Sequence, residues 1–279
     1  MHPLVRQIRE ALHGVCSDAE ALSLAKMLLV DVFGFSTLEL YGGKDRSFSE
    51  NEQTHLADIV RRLQNHEPVQ YIIGKENFMG LVFEVDANVL IPRPETQELV
   101  QWILEDYQLD GCCRILDIGT GSGCIPISLA YFIKGAEVEA WDVSAGALKV
   151  ARRNATRNQV KVTFKEQDVF AAVPSSSQYD VIVSNPPYIT EKEKVDMENN
   201  VLDWEPSIAL FVPDSDPLLF YRTIAELGLE MLVPEGALYF EINRAYGAMM
   251  KSMLEQMGYR HVELRKDMFG NDRMIKAMK

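Results

Sequence analysis

At 279 residues with 47% hydrophobic side chains, the chain is long enough for two domains with buried cores. Its 28 basic and 41 acidic side chains leave a net charge of −13, a field that repels nucleic acid rather than gathering it. The longest apolar runs fall short of the roughly 18 residues of a membrane span, and the opening Met1-His2-Pro3-Leu4-Val5-Arg6 lacks the apolar core of a signal peptide. A cytoplasmic protein with no membrane partner is expected.

The front of the chain reads as helices. Ser17-Asp18-Ala19-Glu20 has the S-x-x-E form of a capping box and precedes Leu22, Ala25, Leu28 and Leu29 at helical spacing. Ser49-Glu50-Asn51-Glu52 repeats the signal before Leu56, Ile59, Val60 and Leu63, and Pro68 marks a stop. The pattern predicts a helical domain over residues 1–68. From Val69 to Leu90 the period shifts toward two, with Tyr71-Ile72-Ile73 and Leu81-Val82-Phe83-Glu84-Val85 separated by Gly74 and Gly80. A β-hairpin linker is expected over residues 69–92. Ile91-Pro92-Arg93-Pro94 reads as an extended loop, with Pro94 opening a helix that carries Leu99, Ile103 and Leu104.

Residues 93–279 then alternate strand and helix, the signature of an α/β fold with a parallel sheet covered on both faces. Strands are predicted at Arg114 to Ile118, Val138 to Val143, Val162 to Asp168, Tyr179 to Asn185 and Ala237 to Ile242. Tyr259 to Lys266 and Arg273 to Met278 flank a turn signal and predict a closing antiparallel hairpin. The stretch from Pro186 to Pro217 is long for a connector and points to a functional segment. Charge is not segregated: residues 1–85 hold 8 basic and 12 acidic side chains, residues 86–279 hold 20 and 29. Arg152, Arg153, Arg157, Lys161 and Lys165 form the one basic cluster, read as a solvated helix face. Cys16, Cys112, Cys113 and Cys124 have no CxxC spacing, and the five histidines are scattered, so no metal site is expected.

Ile115-Leu116-Asp117-Ile118-Gly119-Thr120-Gly121-Ser122-Gly123-Cys124 is a strand, a glycine-rich turn and the start of a helix. Alone it is weak evidence for a ligand. Asp142, however, ends the next strand 19 residues after Gly123, where a carboxylate can accept from both hydroxyls of a ribose. A dinucleotide fingerprint needs G-x-G-x-x-G; the sixth place counted from Gly119 is Cys124 and from Gly121 is Pro126, which disfavours a diphosphate seat. S-adenosylmethionine has no phosphates and carries a charged amino-acid end and a sulfonium, which suits a glycine loop preceded by Asp117. Asp168, with Val169 and Phe170, lies where it can border an adenine or serve as a helix cap.

Asn185-Pro186-Pro187-Tyr188 falls at the carboxyl end of the fourth strand, the edge where ligands collect in open α/β sheets. A planar nitrogen is a poor nucleophile because its lone pair is delocalised. The Asn185 side-chain oxygen and the Pro186 carbonyl can accept both of its N–H bonds, holding it in line with a methyl sulfonium. The prolines keep that turn rigid, and Tyr188 can stack on the planar group. The expected chemistry is an SN2 methyl transfer without a covalent enzyme intermediate.

At these residues the chain resembles the HemK/PrmC family, the protein-(glutamine-N5) methyltransferases that act on peptide chain release factors. The likeness also rests on Glu67 to Gly74, Val89 to Thr96, Trp204-Glu205-Pro206 and Asp267-x-x-Gly270-x-x-Arg273. It implies a class I S-adenosylmethionine-dependent methyltransferase domain, Rossmann-like with a seven-stranded sheet, behind a small N-terminal helical domain that recognises substrate. It implies N5-methylation of the glutamine in the Gly-Gly-Gln motif of class I release factors, with S-adenosylhomocysteine as product. Asp117, Gly119, Thr120, Gly121, Ser122, Gly123, Asp142, Asp168, Val169 and Asn185 would bind the cofactor, and Asn185, Pro186, Pro187 and Tyr188 the glutamine amide. Gln97, Asn243 and Val169 depart from the family pattern, the first two outside the expected core of the chemistry. The rival reading is an N-methyltransferase for an exocyclic amine of a nucleic-acid base; the charge and the lack of a basic front domain oppose it, and no direct nucleic-acid partner is expected.

Overall fold

The computed structural model describes residues 2–41, 46–107, 113–174 and 178–279. The chain divides into two compact units, Met1–Gly74 with Glu198–Trp204, and Lys75–Met197 with Glu205–Lys279. Cys112 lies outside the described residues.

In the first unit, helices α1 (Pro3–Ala11), α2 (Asp18–Asp31), α3 (Thr37–Tyr41), α4 (Glu50–Gln64) and α5 (Val69–Ile73) enclose a core in which Leu12, Ala25, Leu28 and Leu29 are wholly buried. Both helix starts read from the sequence are present. Ser17 Oγ accepts from Glu20 N at 3.2 Å, and at Ser49 the box is reciprocal, with Ser49 N donating to Glu52 Oε2 at 2.9 Å. The reading of Tyr71-Ile72-Ile73 as a strand is corrected: these residues belong to α5, which opens after Pro68 and ends at Gly74 in the left-handed conformation.

The second unit begins with the hairpin β1 (Lys75–Phe78) and β2 (Leu81–Glu84), followed by α6 (Pro94–Tyr107). Then come β3 (Arg114–Ile118), α7 (Cys124–Phe132), β4 (Glu137–Asp142), α8 (Ala145–Arg157), β5 (Thr163–Glu166) and β6 (Tyr179–Ser184). The segment after β6 holds β7 (Ile189–Thr190) and β8 (Phe211–Val212), which pair in parallel, and between them α9 (Asn199–Leu202), which falls in the first unit. The chain ends with α10 (Leu219–Met231), β9 (Leu232–Glu241), α11 (Gly247–Gln256), β10 (Arg260–Lys266) and β11 (Asp272–Met278).

The seven-stranded sheet has the order β10-β11-β9-β6-β3-β4-β5, with β11 antiparallel to both its neighbours and the remaining pairs parallel. Alternation along the strands splits the core into two layers. Ile115, Val181, Val183 and Tyr239 pack with Leu99, Trp102 and Ile103 of α6 and Ile127 of α7. Leu116, Ile182, Leu238 and Phe240 pack with Tyr221 and Ile224 of α10 and Met250 of α11. At roughly 1.5–3 kcal/mol for each fully buried large side chain, these two faces dominate the stability of the unit.

The hairpin is bound to α8. Asn154, wholly buried, accepts from Glu84 N at 2.6 Å through Oδ1, and its Nδ2 donates to Glu84 O at 3.0 Å and Ser122 O at 2.9 Å. Asn158 Nδ2 donates to Val82 O at 3.0 Å. Arg153 and Arg157 of the basic cluster meet Glu84 at 2.8 and 3.0 Å, which makes them hairpin contacts. Gln97 Oε1 accepts from Met79 N at 3.1 Å in the hairpin turn.

Candidate active site

In the second unit, the chain runs from β3 outward through β4 and β5, then returns to β6 on the other side of β3. The strand order reverses there, and a cleft of about 400 Å³ opens at the carboxyl ends of these strands. Gly119, Thr120, Gly121 and Ser122, Asp142, Asp168 and Val169, and Asn185, Pro186 and Pro187 line it, with the Asn185 carbonyl beside Gly119.

The glycine loop is shaped by β4. Gly119 N and Thr120 N both donate to Trp141 O, at 2.9 and 3.0 Å, and Gly121 N donates to Asp142 Oδ2 at 2.8 Å. Asp142 Oδ1 accepts from Ser144 N at 2.8 Å. Each carboxylate oxygen keeps an acceptor site for a ligand diol. Burial raises the Asp142 pKa, and the backbone N–H bonds of Ser144 and Gly121 pull it back. Gly121 takes φ +53°, and a Cβ there would project into open space, the room a ligand needs. Gly123 does not line the cleft. A Cβ on it would stand 2.8 Å from Ile127 Cδ1 and 3.2 Å from Ala151 Cβ, so it is the glycine that lets α7 pack against α8.

Asp117 lies outside the cleft lining, in the interior. It is wholly buried, and neither carboxylate oxygen has a hydrogen-bond partner. Burial pushes its pKa up to about 7; the nearby Thr120 hydroxyl opposes this, although its oxygen falls short of hydrogen-bond geometry, and the Asp142 charge adds to it. Asp168 takes the cap role: Oδ1 accepts from Phe170 N at 2.9 Å, capping the turn Val169–Ala171, and the residue also lines the cleft. The aromatic wall beside Val169 comes from Phe170 and from Phe220 of α10, their rings 5.0 Å apart. Sequence reasoning missed Phe220.

The turn after β6 is held from behind. Asn185 Nδ2 donates to Thr96 Oγ1 at 3.3 Å, and Thr96 donates to Glu241 Oε2 at 2.6 Å. Tyr188 sits outside the cleft lining; its hydroxyl donates to Glu241 Oε1 at 3.1 Å, and burial and that carboxylate raise its pKa. Asn243 Nδ2 donates to Tyr188 O at 3.1 Å and to Glu193 Oε1 at 2.9 Å, so this departure from the family pattern touches the turn it was expected to avoid. Asn185 Oδ1 and the Pro186 carbonyl accept no hydrogen bond from the described residues. On the far rim, buried Glu205 accepts from Ile91 N at 3.2 Å and from the Arg93 guanidinium, fixing the loop before α6.

The residues present fit an adenosine cofactor: an acceptor pair on Asp142, aromatic and apolar walls, and a glycine loop with space above it. Among the described residues no group of three or more His, Cys, Asp or Glu side chains could hold a metal ion, and no helix is long and apolar enough to cross a membrane.

Comparison with known proteins places this arrangement. The model of the Methyltransferase small domain matches residues 96–203, and that of the PrmC N-terminal domain residues 4–74. The solved methyltransferase from Pyrococcus furiosus shares the fold, with a TM-score of 0.54 at 19% identity over 83% of this chain and 99% of that one. The chain is 42% identical over 274 residues to the release factor glutamine methyltransferase of Flavobacterium psychrophilum, covering 97% of this chain and 96% of that relative. It is 50% identical over 278 residues to the release factor glutamine methyltransferase of Bacteroides thetaiotaomicron, covering 99% of each. Likeness on this scale, along both units and through the cleft, means that the chain belongs to the release factor glutamine methyltransferase family.

Proposed function

We infer that this chain methylates N5 of the glutamine side chain in the Gly-Gly-Gln motif of class I peptide chain release factors, using S-adenosylmethionine. The observation that carries the reading is the pair of uncommitted acceptors, Asn185 Oδ1 and Pro186 O, beside the cleft wall. S-adenosylmethionine, when bound, supplies an electrophilic methyl group. Asp142 accepts from the ribose hydroxyls, and Asp168, Val169 and Phe170 border the base. Asn185 and Pro186 accept the two amide hydrogens of the glutamine, which fixes the nitrogen's position and stabilises the positive charge it gains as the methyl group arrives. Pro187 stiffens the turn and Tyr188 anchors it to Glu241. The extra proton on the methylated nitrogen passes to solvent. The helical unit over residues 1–74 serves as the recognition domain for the release factor, a reading supported by its match to the PrmC N-terminal domain.

The test is intact mass of a purified, unmodified release factor before and after incubation with the protein and S-adenosylmethionine, followed by peptide mapping. A gain of one methyl on the Gly-Gly-Gln glutamine is expected. No gain, with cofactor binding established by calorimetry, would refute the substrate and turn attention to exocyclic amines of nucleic-acid bases.

A further inference from the structure

A buried carboxylate dictates which way the Asn185 amide faces. Glu241 ends β9 and is 1% exposed; burial raises its pKa, and the Thr96 hydroxyl, the Arg273 charge and the Tyr188 hydroxyl pull it back. Thr96 spends its single hydroxyl hydrogen on Glu241 Oε2, 2.6 Å away. Thr96 Oγ1 then has only lone pairs left. The end of the Asn185 amide that lies 3.3 Å from it is therefore the nitrogen. Oδ1 is left for the cleft that Asn185 lines. A reversed amide would set an N–H₂ donor against the N–H₂ of a glutamine, and neither could accept. The other Glu241 oxygen takes the Tyr188 hydroxyl at 3.1 Å, so one carboxylate braces both ends of the Asn185 to Tyr188 turn.

We propose that Thr96 and Glu241 are positioning residues for methyl transfer, acting through Asn185 by locking its side-chain oxygen toward the amide of the substrate. The proposal rests on the glutamine reading above. Thr96→Val keeps the shape of residue 96 and removes both the donor and the acceptor, so Asn185 loses its bias; Thr96→Ser keeps both.

Steady-state kinetics on an unmodified release factor, with cofactor affinity by calorimetry and melting temperature alongside, decide it. Thr96→Val should lower kcat about tenfold, the scale of one neutral hydrogen bond, with KM and cofactor affinity changed by less than about twofold. Thr96→Ser should stay within about twofold of the parent, since its hydroxyl keeps both bonds. Wild-type protein that fails to methylate the release factor overturns the substrate reading. An active wild type with an undiminished Thr96→Val variant overturns the positioning role, as does a Thr96→Ser variant that falls as far as Thr96→Val. A kcat loss matched by an equal loss of cofactor affinity also overturns it, because that pattern is general damage to the site. Should Thr96→Val not fold, Glu241→Gln carries the same test. Its amide cannot accept from Thr96 and Tyr188 through both ends, so kcat should fall with cofactor affinity intact, and unchanged kcat refutes the relay.

Discussion

Asp117 offers a test of how the interior treats charge. Both its oxygens are buried without partners, and burial moves its pKa from 3.8 to about 7. In the unfolded chain the same group titrates near 3.9, so the folded state holds the proton more tightly, and ionisation disfavours folding. The sign is opposite to that of a salt-bridged aspartate: stability is greatest in acid and is lost as pH rises from about 4 to about 7. At about 1.36 kcal/mol per pKa unit, the full penalty is about 4 kcal/mol at pH 8, of which roughly 2.5 kcal/mol develops between pH 5 and pH 8. Asp117→Asn removes the titration and keeps the side-chain shape. Urea unfolding of parent and variant at pH 5 and pH 8, without cofactor, reads the effect; carboxylates present in both proteins cancel in the comparison. The variant should gain roughly 2.5 kcal/mol on the parent across that interval. Parallel pH profiles would refute the reasoning, since Asp117 would then carry the same charge folded and unfolded.

Asn185→Ala deletes an acceptor aimed at the substrate; turnover should fall at least about a hundredfold while cofactor affinity by calorimetry stays within about threefold, and unchanged turnover would overturn the acceptor role. Asn154→Ala leaves the N–H and C=O of Glu84 and the C=O of Ser122 without their buried partner. It should cost about 2–4 kcal/mol in denaturant unfolding and speed amide exchange at Glu84, and a loss below about 0.5 kcal/mol would mean that water replaces the amide freely.

Much of the sheet was legible because parallel strands buried on both faces read as apolar runs between glycine and helix signals. Arg114–Ile118 is found as predicted, and β6 differs from its prediction by one residue. β5 is shorter than Val162 to Asp168 because Asp168 turns the chain into a cap, and β9 starts at Leu232 rather than Ala237, continuing through Pro234 and Gly236 past a register shift. The α5 error came from weighing the strand preference of Tyr71, Ile72 and Ile73 above the punctuation of Pro68 and Gly74. The cleft residues on the glycine loop and at strand ends were legible from local spacing. The brace behind them was not, because Thr96 and Glu241 lie 145 residues apart and meet only once the sheet is assembled. Asn154 did leave a trace, an amide on the apolar face of α8 among Ala147, Leu148, Val150 and Ala151.

The outward edge of β2 is met by two asparagine amides on a helix, where a sheet would ordinarily supply another strand. That makes the hairpin part of the methyltransferase module, with Phe78 and Phe83 sealed inside it at 1% and 0% exposure. The natural joint for exchanging helical units between relatives is therefore at Gly74, in its left-handed turn, ahead of Lys75. A graft joined at residue 93 would leave Asn154 and Asn158 reaching for a backbone supplied by a foreign sequence, and the glycine loop, tied to Asn154 through Ser122, would inherit the mismatch.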